Sequence, residues 1–227
     1  MRRQPIVTNE YYHIYNRGVD KRNIFSDKID IKRFIESIIE FNQIDGIGSL
    51  VNKRKQNNQI EPKALSRRNK NKPLVGIVTY CLNPNHFHFV LKQLIDGGVA
   101  KFMQKLQGGY TYYFNIKNSR TGSLLQGTFK ANHLSNENSF NKAIGYVNKN
   151  YKIHNIPKNK LNFVFASDYE YENNNFKIVS KIEGKKILKI FNGSKSFKKH
   201  CEEIISMARK EKGKTDLLKD ENIQIEP

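Results

Sequence analysis

Two periods of hydrophobic and polar positions alternate along this chain, and the changes of period divide it into elements. The run EYYHIYN, from Glu10 to Asn16, is aromatic and β-branched and ends at Arg17-Gly18, which predicts a strand. From Lys28 to Phe41 the period lengthens. Ile31, Phe34, Ile35, Ile38 and Ile39 recur at helical spacing and predict a helix with one apolar face. Asp27 and Asp30 stand at its start, where negative charge suits the helix dipole. Period two returns in LVGIVTYCLNPNHFHFVLK, from Leu74 to Lys92. Two strand-like runs flank Asn83-Pro84-Asn85 there, which predicts a hairpin. Val99, Phe102, Met103, Leu106, Tyr110, Tyr113 and Phe114 then mark a second helix, reaching Lys117. Its dense aromatics would suit a base-stacking platform, but their helical spacing assigns most of them to the core. Leu124 to Leu134 (LLQGTFKANHL) predicts another strand, with Gly127 inside it marking a bulge or a close backbone approach. Strand, helix, strand, strand, helix, strand is the ferredoxin-like α+β order, βαββαβ, an antiparallel sheet with two helices on one face.

Side chains alternate faces along a strand, so His86 and His88 point one way and Phe87, Phe89 and Leu91 the other. With the apolar set under the helices, the two imidazoles lie on the open face, which needs cover or a ligand. A helix from about Glu137 to Ile153, marked by Phe140, Ala143, Ile144, Val147 and Tyr151, supplies the cover. Tyr146 and Asn150, four residues apart, share one side of it. His13, amid aromatic residues in the first strand, reads as a buried structural histidine rather than a ligand.

Composition narrows the partners. Lys+Arg 40 against Asp+Glu 21 gives a formal charge of +19 and favours a polyanion, nucleic acid or an anionic membrane surface. No apolar run approaches the roughly 18 residues of a membrane span, and the N-terminus has no signal-peptide core, so a membrane is not expected. Cys81 and Cys201 alone make a disulfide framework improbable and point to a reducing, cytoplasmic setting. Residues 51 to 72 hold eight Lys/Arg and one acid, Glu61, within a polar, basic insertion spanning 46 to 72. It reads as a solvated insertion, or as a basic arm along a phosphate backbone. Residues 100 to 160 hold ten basic residues and one acid, Glu137, whereas 171 to 227 hold thirteen and nine. After a Tyr/Asn-rich connection from Asp168 to Phe176, two short helices are expected at Lys185 to Phe191 and Ser196 to Met207, joined by Asn192-Gly193. The expected division is 1–157 as the main domain, 158–215 as a small helical region and 216–227 as a disordered tail.

Two imidazoles, a phenol and an amide thus converge on one face. Neutral imidazoles suit divalent transition metals, and Asn150 can add a carbonyl oxygen. A metal so held polarises a phosphodiester and makes in-line attack by Tyr146 feasible. Each piece alone also has a plain structural reading: His-x-His on a strand is common, and a tyrosine on an amphipathic helix is usually core. A zinc site using Cys81 lacks the paired Cys-x-x-Cys spacing.

The stretches YHIYNRGVDKRNIF, CLNPNHFHFVL, LQGGYTYYFN, LLQGTFKA and AIGYVNKN follow one another from Tyr11 to Ile156. Together they resemble the REP-associated tyrosine transposases, within the single-tyrosine HUH nuclease superfamily. LKIFNGSKSFKKHCEE resembles the small C-terminal helical region of many relatives. The resemblance implies His86 and His88 as the metal-binding pair around Phe87, Tyr146 as nucleophile and Asn150 as the further metal ligand. It implies cleavage of single-stranded DNA beside a hairpin, a 5′-phosphotyrosine intermediate, a released 3′-hydroxyl, and a homodimer. Magnesium is the expected ion, with manganese the alternative. Lys130, Lys142 and Lys149 are candidates for contacts to the DNA backbone. Where relatives have a proline after the asparagine, this chain has Tyr151, which leaves the helix free to continue. Two rivals remain: a non-catalytic single-strand binder using aromatics and lysines, and a metal-independent phosphodiesterase using the histidines as acid and base.

Overall fold

The computed structural model describes residues 5–45, 72–154 and 156–218, with side chains described to Glu211. Its centre is a five-stranded sheet in the order β4-β1-β3-β2-β5, in which every neighbouring pair is antiparallel. The strands are β1 (Tyr11–Arg17), β2 (Val75–Asn83), β3 (His86–Gln93), β4 (Lys130–His133) and β5 (Phe165–Ala166). Helices α1 (Lys28–Phe41) and α2 (Gly98–Lys117) complete the βαββαβ core, and α3 (Glu137–Asn148) packs against β2 and β3. The ferredoxin-like α+β expectation holds. Beyond it, β5 adds an edge strand, and α4 (Asp168–Glu172), α5 (Lys181–Ile190) and α6 (Ser194–Leu218) follow.

Alternation on β3 works as the pattern requires. Phe87, Phe89 and Leu91 are fully buried, and Phe87 meets Phe34 of α1 at 5.5 Å between ring centroids. Tyr110 of α2 closes the same layer edge-on to Phe34 at 4.8 Å, its hydroxyl donating to the Ile24 carbonyl. Most of the α2 aromatics therefore do belong to the core, with Tyr112 exposed. On α1 the buried face runs through Ile31, Phe34, Ile38 and Phe41, while Ile39 is exposed. The shift follows from Asp30, which is buried because its carboxylate accepts the Ser26 and Asp27 amides and the Lys117 ammonium.

The strand expected from Leu124 to Leu134 shortens to β4, Lys130–His133. Gly127 is the reason: at φ +58 it bends the chain, and its carbonyl accepts from Asn16 Nδ2 at 3.2 Å. The helix expected from Glu137 to Ile153 also stops early. It starts at a capping box between Asn136 and Ser139 and ends at Asn148. Lys149 leaves helical geometry (φ −125, ψ 27), and Asn150–Lys152 form a single 3₁₀ turn. The helix does not run on through Tyr151; beyond its end the Asn150 side chain accepts from Asn83 Nδ2 of β2 at 2.8 Å. The two C-terminal helices are longer than expected, and α6 carries the first three residues of the expected tail. The rest of that tail, and residues 46–71 of the basic insertion, lie outside the described residues.

Candidate active site

Strand parity assembles the site. On β3, His86 and His88 face α3; across the ladders stand Arg17 opposite His86, Tyr15 opposite His88, and Asn83 and Cys81 opposite the same two. Lys130 of β4 is opposite Tyr15. Period-two alternation therefore puts His13, Tyr15, Arg17, Cys81, Asn83, His86, His88 and Lys130 on one side of the sheet. They line or underlie a cavity of about 320 Å³, bounded also by Tyr146 and His154.

His86 is held in one tautomer. Asn85 Nδ2 donates to the Lys21 carbonyl at 3.2 Å, which turns Asn85 Oδ1 toward His86 Nδ1 at 2.6 Å. Nδ1 must then carry the proton, and the Nε2 lone pair accepts from the buried Asn83 Nδ2 at 2.8 Å. Asn150 Oδ1 lies 3.3 Å from that Nε2 and accepts from Asn83 Nδ2 at 2.8 Å. His88 Nδ1 is 2.9 Å from His13 Nε2, leaving its own Nε2 for the shared space. Burial pushes the His88 imidazole well below its usual range, and the adjoining His13, His86 and His154 add to this. Burial alone pushes His13 down to about 4. Both rings are neutral at pH 7, the state a metal ligand needs.

The nitrogens of His86, His88 and His154 lie within 4.8 Å of one another. Three imidazoles at that spacing, with a buried amide oxygen beside them, fit a divalent ion that accepts nitrogen and oxygen ligands. His154 was missed in the sequence. Tyr146, Asn150 and His154 recur every four residues, but the helix ends at Asn148, so that spacing alone does not bring His154 to the site.

Tyr146 stands beside this group in the same chain: its ring is 5.9 Å from that of His88 and 6.1 Å from that of His13, edge-on to both. Burial raises its pKa, and the adjacent Asn150 amide opposes the rise. The sequence-derived set of His86, His88, Asn150 and Tyr146 is thus brought together. Among the lysines, Lys130 lines the cavity, joined by Arg17 and Lys21. Lys142 is exposed on α3 and does not line it. Lys149 does not line it either: it is 2% exposed, and its ammonium sits 3.3 Å from Glu202 and 3.5 Å from Glu172, so it ties the end of α3 to α6 and α4. His13 is buried and stands outside the three-histidine group, as the structural reading expects, and its ring abuts His88.

Among the described residues no helix is long and apolar enough to cross a membrane. No protein-family model matches the sequence, and no curated protein matches it. Among solved structures the chain is similar to a REP-associated tyrosine transposase bound to a REP hairpin, with a TM-score of 0.50 and 13% identity, over 78% of this chain and 88% of that one. At this identity the likeness is one of fold: the five-stranded sheet and its helices have the architecture of that transposase.

Proposed function

We propose that this chain is a metal-dependent DNA strand transferase that cuts single-stranded DNA, next to a hairpin, through a covalent 5′-phosphotyrosine. The observation that carries the reading is the convergence of Tyr146 and three imidazoles on one cavity rimmed by Arg17, Lys21 and Lys130, with the buried Asn150 amide oxygen 3.3 Å from His86 Nε2. A tyrosine beside a cluster of three histidines has no obvious purpose in a passive binding surface.

In this reading Tyr146 Oη attacks the scissile phosphorus, forming an O–P bond as the bond to the 3′-oxygen breaks. The proton lost by the phenol is balanced by the one gained by the departing 3′-hydroxyl, so no outside acid or base is consumed. Attack by another 3′-hydroxyl reverses the step and rejoins DNA, because the phosphotyrosine keeps the bond energy that hydrolysis would lose. His86, His88, His154 and Asn150 would hold a divalent ion, magnesium or manganese, whose positive charge stabilises the charge developing on the phosphate oxygens. Asn85 orients His86, and Arg17, Lys21 and Lys130 attract and align the DNA backbone. Burial raises the Tyr146 pKa further above neutrality, so the phenol is protonated before it attacks.

The test uses a 3′-labelled hairpin oligonucleotide with a single-stranded flank, incubated with the intact protein and Mg²⁺ or Mn²⁺. Denaturing gels are expected to show a protein–DNA adduct that disappears with EDTA and in Tyr146→Phe. Tight binding without adduct would instead identify the non-catalytic binder. Multiple turnover that survives both EDTA and Tyr146→Phe would identify the hydrolytic phosphodiesterase.

A further inference from the structure

Asn83 is the last residue of β2, directly across the hairpin from His86, and its side chain is fully buried. Its Nδ2 lies 2.8 Å from His86 Nε2 and 2.8 Å from Asn150 Oδ1, and those two acceptors are 3.3 Å apart. A triangle of this size matches one face of a small ion's coordination shell. Ligand atoms about 2.1 Å from an ion and at right angles to each other are about 3 Å apart. The three positions are thus already spaced as neighbouring ligands.

Which end of the Asn83 amide points into the triangle depends on what lies at its centre. Two acceptors favour an N–H between them; a cation between them favours a third oxygen. Little opposes the exchange. Asn83 Oδ1 now accepts only from the Cys81 thiol at 3.6 Å, a weak donor, and after rotation Nδ2 would meet that sulfur as a weak acceptor. The same Asn150 amide is incompletely satisfied at its other end, where Nδ2 is buried with no hydrogen-bond partner among the described residues, so its orientation is held from the triangle side alone. In a fully buried site such a deficit is costly unless another interaction compensates.

We propose that Asn83 is an oxygen ligand of the metal, completing a face with His86 Nε2 and Asn150 Oδ1, and that its amide turns over when the ion binds. This rests on the metal-dependent reading above and adds a residue to it. Cys81 then has a role at one remove, as the soft, uncharged neighbour that tolerates either end of the amide. The ion gains an oxygen-rich side, which suits magnesium better than a purely imidazole site does.

The experiment is a Mn²⁺ titration of the intact protein, without DNA, followed by the paramagnetic resonance signal of free Mn²⁺. Wild type, Asn83→Ala, Asn83→Asp and His88→Ala are compared, with circular dichroism as the folding control. Asn83→Ala is expected to weaken Mn²⁺ binding about 10–100-fold. Asn83→Asp, nearly isosteric and unable to donate, is expected to tighten it about tenfold through the added ligand charge. Equal or tighter binding by Asn83→Ala overturns the proposal, because the amide would then be a plug that competes with the ion. Should Asn83→Ala fail to fold, Asn83→Asp decides, and unchanged or weaker binding overturns the proposal. Loss of binding in His88→Ala alone removes Asn83 from the site and leaves the metal centre standing. A wild type that binds no Mn²⁺ overturns the metal reading itself, and the role of Asn83 with it.

Discussion

His13 and His88 are not partners in the β1–β3 register, yet their rings stack at 5.1 Å and share one hydrogen bond of 2.9 Å. Only one of the two nitrogens can carry the shared proton. The arrangement that frees His88 Nε2 for an ion has His88 donating and His13 accepting. His13→Phe keeps a buried ring but removes the acceptor, and is expected to lower Mn²⁺ affinity about 10–100-fold. His13→Gln, which offers an amide oxygen, is expected to recover much of that loss. Calorimetric titration checks both, and wild-type affinity in His13→Phe would reduce the contact to packing. In the sequence, His13 read as a structural histidine because a lone imidazole among aromatics carries no sign of which strand lies beside it.

At the scale of elements, the position of Tyr146 is set by how α3 seats against its neighbours. Gly145, immediately before it, marks a close approach of α3 to α6: a Cβ there would lie 2.9 Å from Ile204 Cγ1 and 3.2 Å from Ile204 Cβ. Buried Lys149 reinforces the same junction through Glu202. Gly145→Ala gains up to about 1 kcal/mol of helix propensity but forces the helices apart, at a cost of about 1–3 kcal/mol. A net fall in the thermal midpoint is expected, with recovery in the double variant Gly145→Ala/Ile204→Ala. A Gly145→Ala protein as stable as wild type would mean that α6 yields freely and does not seat the tyrosine helix. The expected boundary at residue 157 separates chain segments, but α6 packs directly on α3. The C-terminal helices are therefore part of what holds Tyr146 in place.

Across the whole molecule, the charge of +19 is sorted by the fold into two uses. Arg17, Lys21 and Lys130 rim the cavity, whereas Lys149, from the same basic stretch, is spent internally on Glu172 and Glu202. Each phosphate contact on a single strand contributes about 0.7 to the slope of log affinity against log salt. Lys130→Ala is accordingly expected to weaken oligonucleotide binding and to reduce that slope by about 0.7. Lys149→Met is expected to leave the slope unchanged and to alter thermal stability instead. Fluorescence anisotropy over a range of salt separates the two, and equal slopes in all three proteins would remove Lys130 from the DNA-facing set.

Much of this architecture could be read from local pattern. Period two against period 3.6 located β1, β2, β3, α1 and α2, and parity alone put His86 and His88 on the face opposite Phe87 and Phe89. Those inferences succeeded because backbone geometry dictates which side chains share a face, whatever the rest of the chain does. The end of α3, the bend at Gly127, the burial of Lys149 and the joining of His13, Asn83 and His154 to the site were decided differently. Each depends on which surfaces meet when distant segments pack, and a hydrogen bond between residues 83 and 150 leaves no periodic trace in either segment.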